Sequence, residues 1–259
     1  MSNLYFREIH SLKIYHPHKP DFPPHLHQNI EIVYVLKGQG DAYCNGEHYF
    51  LEAGDAFIAY PNQVHSFSNF TEDTYAYVFM IPQNYLEDFS KLINGKYPVS
   101  SKVQVKNKGQ LAALFNLANT CNSEANNFSL KYYARIIFSI ISESLAFRKA
   151  DAATDIISQT LDYCNKNFRH KISLEEISDK LYISRSTVSR IFAKKVGISF
   201  IDYVNSLRLS EFLAIIQKDD ISITKAATLA GFPTIRTFNV AFKKQYGMTP
   251  SEYIKKMKY

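Results

Sequence analysis

One pattern occurs twice in the last hundred residues, and it limits the chain more than any other feature. Residues 173–197 and 222–247 each read as a short helix, a tight turn and a second helix ending in a basic cluster and a glycine. Ser173 matches Ser222 at an offset of 49, whereas Phe192, Lys194, Gly197 and Tyr203 match Phe242, Lys244, Gly247 and Tyr253 at an offset of 50. The extra residue falls in the turn, where insertion costs least. Tandem helix-turn-helix units with basic ends imply double-stranded DNA as a partner.

The charge distribution agrees. Residues 151–259 hold 17 Lys and Arg against 11 Asp and Glu, while residues 1–150 hold 13 of each. The positive balance therefore sits on the repeat-bearing half, where phosphate would need it. Residues 1–10 carry Arg7 and Glu8 and lack the apolar core of a signal peptide. The most apolar run, 136–147, is too short and polar to cross a bilayer. A cytoplasmic chain with no membrane partner is expected. Cys44, Cys121 and Cys164 are odd in number and widely spaced, which suits reduced thiols rather than disulfides or zinc.

The fold class expected is α+β and multidomain. Residues 1–105 alternate short apolar runs with turn signals: Ile30–Leu36 reads as a buried strand, and Asn45-Gly46 as a two-residue hairpin turn. Several strands at short spacing predict an N-terminal barrel or sandwich. From Lys106 the period becomes helical, in Leu111, Leu114, Phe115 and Ala118, then over about 129–149. Segment 106–150 is expected to dimerise the chain, one helix pairing with its copy, although the same wide apolar faces would also suit packing on the barrel; Ile137 and Ile141 lie on the interface in the first case and in the core in the second. Residues 151–155 read as a polar linker, and 156–259 as an all-α DNA-binding domain.

Within that domain the first recognition helix should start after Ser184. It buries Val188, Ile191 and Phe192 and presents Arg185, Ser186, Ser189, Arg190 and Lys194. The second, starting near Pro233 or Thr234, buries Phe238 and Phe242 and presents Ile235, Arg236, Asn239 and Lys243. Arginine can grip guanine bidentately, asparagine can grip adenine, and hydroxyls accept either edge. Lys194, Lys243 and Lys244 suit phosphate better.

These residues resemble the AraC/XylS family of transcription regulators over about 156–259. The resemblance rests on Ser173-Leu-Glu-Glu-Ile177, Ser189-Arg190-Ile-Phe192, Gly197 to Tyr203 with Arg208-Leu209, Ala230-Gly-Phe232, Phe242-Lys-Lys244 and Gly247 to Tyr253. It implies a regulator, usually an activator, whose two units enter successive major grooves on one face of the DNA; no enzyme activity and no resident cofactor are expected, and RNA polymerase and a second copy of the chain are the further expected partners. Val240 and Ile254 stand where the family often has arginine, so the first unit would be the main reader.

In the N-terminal half His25, His27 and Glu31, then Gly54 and His65, resemble the two motifs of cupin barrels, although the first motif's leading glycine is absent and Pro61 is shifted by one. The resemblance implies that His25, His27, Glu31 and His65 converge. The first reading is a small organic effector, carbohydrate above all, hydrogen-bonded by them and stacked on barrel aromatics such as Tyr34 and Tyr43. The alternative is a metal held by the same four, as a metal sensor or a metal-dependent cupin enzyme fused to a DNA-binding module.

Overall fold

The computed structural model describes residues 5–6, 12–121, 127–149, 152–196, 198–218 and 221–257. Asp151 of the expected linker and Gly197 at the end of the first repeat lie outside them. From Ile9 on, the chain divides into two compact units that part between Ala152 and Ala153.

The N-terminal unit contains β1 (Tyr5–Phe6), β2 (Lys13–Tyr15), β3 (Phe22–Leu26), β4 (Ile30–Lys37), β5 (Gln39–Cys44), β6 (Glu47–Glu52), β7 (Asp55–Ala59), β8 (His65–Ser68) and β9 (Tyr75–Ile81). A 3-10 segment (Gln83–Phe89) leads to α1 (Ser90–Ile93), β10 (Lys96–Pro98) and β11 (Lys102–Gln104), followed by α2 (Lys108–Thr120), α3 (Asn127–Glu143) and β12 (Phe147–Lys149). Two five-stranded sheets form, in the orders β1-β3-β8-β5-β6 and β11-β7-β4-β9-β2, with a separate β10-β12 pair.

Side-chain alternation on β4 sets the layers. Val33 and Val35 join Ala42, Cys44, Leu51 and Phe67 in a core between the two sheets. Ile30, Ile32 and Tyr34 point the other way, into a core with Phe115 of α2 and Leu130, Ala134, Ile137 and Ile141 of α3. The second sheet is thus covered on both faces, which explains the unbroken apolar run of its central strand. The Asn45-Gly46 turn forms as expected: both residues have positive φ, 51° and 89°, and Cys44 pairs with Glu47.

One expectation needs correction here: the second helix of segment 106–150 ends at Glu143, and residues 147–149 are instead a strand that pairs with Lys96–Pro98. Of the two settings open to Ile137 and Ile141, the structure shows the core: both are fully buried within the unit. The exposed apolar residues of α3 are Phe128, Tyr132 and Ile136, spaced four apart, so they form a single stripe.

The C-terminal unit is helical: α4 (Ala152–Asn167), α5 (Leu174–Leu181), α6 (Arg185–Arg190), α7 (Phe200–Lys218), α8 (Ile223–Leu229), α9 (Ile235–Tyr246) and α10 (Pro250–Met257). The expected linker is helical from Ala152, since its alanines favour helix and Asp155 suits the positive end of the dipole. The caps fall where hydroxyls precede helices. Ser173, Ser184, Ser222 and Thr234 accept from the backbone N–H of Glu176, Thr187, Lys225 and Thr237. Thr249 and Glu252 form a reciprocal capping box at α10.

The repeat is visible in three dimensions. The Ile183 N–H donates to Ser178 O at 3.1 Å, and in the second unit Phe232 N–H donates to Ala227 O at the same distance. The residue between each helix and its turn is left-handed: Tyr182 in one unit and Gly231 in the other. At Gly231 any Cβ would lie 2.6 Å from the Arg169 backbone, so only glycine fits. Arg208 braces the same region, donating to Phe168 O at 2.8 Å and to His170 O at 2.9 Å.

Candidate functional sites: two exposed helices and a buried histidine cluster

The first recognition segment differs from its expected form. It is α-helical only over α6 and continues as a π-helical turn, Ile191–Val196, whose five-residue spacing puts Val196 on the same side as Ile191, and Ile191, Phe192 and Val196 are all buried. Val188 completes this inward stripe. Arg185, Ser186, Ser189, Arg190 and Lys194 are exposed on the opposite side. Some of these groups are already engaged. Ser186 Oγ lies 2.8 Å from the Ser184 cap hydroxyl, Arg190 reaches Thr187 Oγ1 at 3.3 Å, and Arg185 lies 3.9 Å from Glu175.

In the second unit α9 is regular. Phe238, Ala241 and Phe242 are buried, and Ile235, Arg236, Asn239, Val240 and Lys243 are exposed together. Val240, read from sequence only as a departure from a family pattern, is 65% exposed in the middle of this face. There its methyl groups suit the thymine C5-methyl. Lys244 has a different setting. Its ammonium lies 2.6 Å from Asp202 in the first turn of α7, which makes it an internal tie as well as a surface cation. The 19-residue α7 joins the two units and is about 28 Å long at 1.5 Å per residue.

The N-terminal unit brings His25, His27, Glu31 and His65 together, all buried, with one ligand atom from each within 4.8 Å of the others. His25 and His65 face each other across the β3–β8 pair of one sheet, and Glu31 enters from β4 of the other. His27 follows β3 at the turn into β4. The three Nε2 atoms approach a single carboxylate oxygen, Glu31 Oε2, at 3.6 Å for His25, 3.0 Å for His27 and 3.4 Å for His65. Each Nδ1 in turn meets a backbone carbonyl: Pro23 O at 3.0 Å, Asn29 O at 3.1 Å and Gln63 O at 2.8 Å, respectively. Burial opposes ionisation of Glu31, but hydrogen bonds from His25, His27 and His65 outweigh it and hold the carboxyl well below the ordinary range. Burial lowers the pKa of His25, and neighbouring His65 adds to the shift.

The two aromatics expected beside this cluster are not there. Tyr34 points to the helix-covered face, stacks on Phe115 at 5.2 Å and donates to Lys108 O. Tyr43 lies on the outer face of β5 against His48. The reason is strand alternation: Glu31 and Tyr34 are three apart, which puts them on opposite faces. The rings that do flank the cluster are Phe22, 4.6 Å from His25, and Phe67, 6.0 Å from His65.

Comparison with known proteins agrees with this two-part geometry. Residues 11–125 match the AraC-like ligand binding domain, and residues 177–256 match a helix-turn-helix domain. The chain belongs to the AraC family of transcription regulators. It is 25% identical to the HTH-type transcriptional activator RhaS of Mannheimia succiniciproducens, over 89% of this chain and 88% of that one. It is 24% identical to the Msm operon regulatory protein of Streptococcus mutans, over 91% of this chain and 87% of that one. In fold it is similar to ToxT of Vibrio cholerae, with a TM-score of 0.57 at 15% identity, covering 94% of this chain and 96% of that one. The chain is therefore a DNA-binding regulator with a ligand-binding domain. Among the described residues no helix is long and apolar enough to cross a membrane.

Proposed function

We propose that this AraC-family chain is a cytoplasmic transcription activator that reads two adjacent major-groove segments and is controlled by a small effector bound at the N-terminal histidine cluster. The observation that carries the DNA half is the pair of exposed polar faces. Arg190 on α6, and Arg236 with Asn239 on α9, supply base-reading chemistry at the surface, each backed by a buried apolar stripe. Lys194 and Lys243 contact phosphate, and Arg185, Ser186, Ser189, Ile235 and Val240 complete the faces. Activation, and with it RNA polymerase as a partner, is supported by the relatives described as transcriptional activators. The same relatives support a regulator rather than an enzyme.

The carbohydrate expectation draws no support from Tyr34 or Tyr43, which face away from the cluster. The effector assignment rests on the cluster itself. A homodimer is the assembly proposed, through the stripe of Phe128, Tyr132 and Ile136. Selection of bound sequences from a random duplex pool tests the main reading. Enrichment of two short motifs separated by about one helical turn, roughly 10 base pairs, is expected. Enrichment of one motif alone, or of none, overturns it.

A further inference from the structure

We infer that His25, His27, Glu31 and His65 form a binding site for a divalent first-row transition-metal ion, and that this ion is the effector. The inference rests on the preceding reading of the cluster as the effector site, and it begins from ring orientation. A carbonyl oxygen only accepts, so an imidazole whose Nδ1 meets a carbonyl must carry its proton there. All three rings are anchored in this way, at Pro23, Asn29 and Gln63. Each is thereby turned so that Nε2 faces the common centre. Anchoring of the outer nitrogen by carbonyls or carboxylates is how proteins orient histidine ligands.

The distances agree with an ion of ordinary size. Two ligands bound at about 2.1 Å lie roughly 3.0 Å apart in an octahedral arrangement and 3.4 Å apart in a tetrahedral one. The Nε2–Oε2 separations here are 3.0, 3.4 and 3.6 Å. Three imidazoles and one carboxylate suit zinc, nickel, cobalt, iron or manganese, and do not suit calcium or magnesium, which take oxygen shells. A sugar would need a polar cleft. Instead, the four ligand atoms lie within 4.8 Å of one another, against an apolar core that includes Phe67, Ala59 and Met80. Both sheets contribute ligands, so an ion would clamp them together at one end.

The test uses the full chain, stripped with a chelator and then given Zn²⁺, Ni²⁺, Co²⁺ or Mn²⁺ singly. About one ion per chain should survive gel filtration for at least one metal, with a raised melting temperature. His65→Ala should weaken binding by more than the roughly 10–100-fold that follows loss of a supporting contact. Glu31→Gln, which keeps shape and hydrogen bonding, should weaken it with little change in the metal-free fold. The Co²⁺ form should show ligand-field absorption without a thiolate charge-transfer band. Such a band would mean that Cys44, paired with His65 on the neighbouring strand, is a ligand, and would overturn this donor set. Absence of binding by every metal, or binding unaltered in both variants, overturns the site. Stoichiometric binding that leaves DNA affinity unchanged supports the site and overturns its role as effector. Loss of cognate DNA recognition in every state counts against the proposed function instead.

Discussion

Asp202 and Lys244 join the start of α7 to the end of α9 through a 2.6 Å contact. The contact lies 42 residues apart in sequence and fastens the first DNA-reading unit to the second. Asp202 also accepts from Ser199 Oγ, and its backbone N–H donates back to that hydroxyl, so Ser199 caps α7. Burial works to raise its pKa, but hydrogen bonds from Lys244 and Ser199 outweigh that and lower it. A lowered carboxylate pKa contributes stability above the unfolded value, and that contribution is lost as pH falls through the folded value. Wild type should therefore lose more stability than Asp202→Asn as pH drops below the ordinary aspartate range, measured by denaturant midpoints. Because both partners are partly exposed, the pair contributes at most about 1 kcal/mol.

The same pairing separates two neighbouring lysines. Lys243→Ala should weaken binding to cognate and random DNA alike and reduce the salt slope by about one unit. Lys244→Ala should lower affinity less and loosen the spacing preference between the two half-motifs. Equal losses and unchanged spacing would show Lys244 to be an ordinary phosphate contact.

Arg190→Ala and Arg236→Ala should each cost about 1–3 kcal/mol on the cognate site and relax base preference locally. Val240→Ser, at the exposed centre of α9, should reduce preference for thymine at one position without changing random-sequence affinity. Binding-site selection on each variant reads these effects directly. Preferences that survive both arginine changes would remove these helices from the reading role.

Tyr182 and Gly231 occupy matching positions in the repeat, and both are left-handed, with φ of 54° and 92°. Tyrosine adopts this conformation at a cost of about 1–2 kcal/mol, and its side chain is 95% exposed, so no burial offsets it. Tyr182→Gly should raise the unfolding midpoint by an amount equivalent to about 1 kcal/mol. Gly231→Ala should lower it by more, since the new Cβ also meets the Arg169 backbone. A stabilising Gly231→Ala would contradict this account.

For the assembly, Ile136→Glu in the full chain should give folded monomers, because Ile136 is 46% exposed on the Phe128–Tyr132 stripe. Ile137→Glu, one residue on and wholly buried, should unfold the N-terminal unit. Light scattering paired with circular dichroism distinguishes the two. A wild-type chain that is monomeric at micromolar concentration removes the stripe from consideration as an interface.

The DNA-binding half is legible in the sequence because its signals are local. Caps at Ser173, Ser184 and Thr249, the Pro250 start and the inward stripe of Phe238 and Phe242 each depend on neighbours within a turn or two. The π turn after Arg190 is not legible, since it follows from how three buried side chains share space. In the N-terminal half, motif spacing singles out the histidine cluster, but the carbonyl partners of its rings, Pro23 on β3 and Asn29 and Gln63 outside the strands, depend on local backbone geometry that spacing does not specify. Composition counts Tyr34 among the barrel aromatics, whereas its parity with Glu31 along β4 puts it on the other face. Ile137 and Ile141 stay ambiguous in the sequence for a related reason: a wide apolar helix face reads the same whether a sheet or a second subunit covers it.

That parity on β4 has a mechanical meaning. Glu31 belongs to the histidine cluster, while Ile30 and Ile32 on either side of it are embedded among the helices α2 and α3. The strand is a rigid plate with the charged cluster on one surface and the helical layer on the other. Close-packed interiors transmit displacement instead of absorbing it, so a pull on the Glu31 carboxylate is a push on the seat of α3.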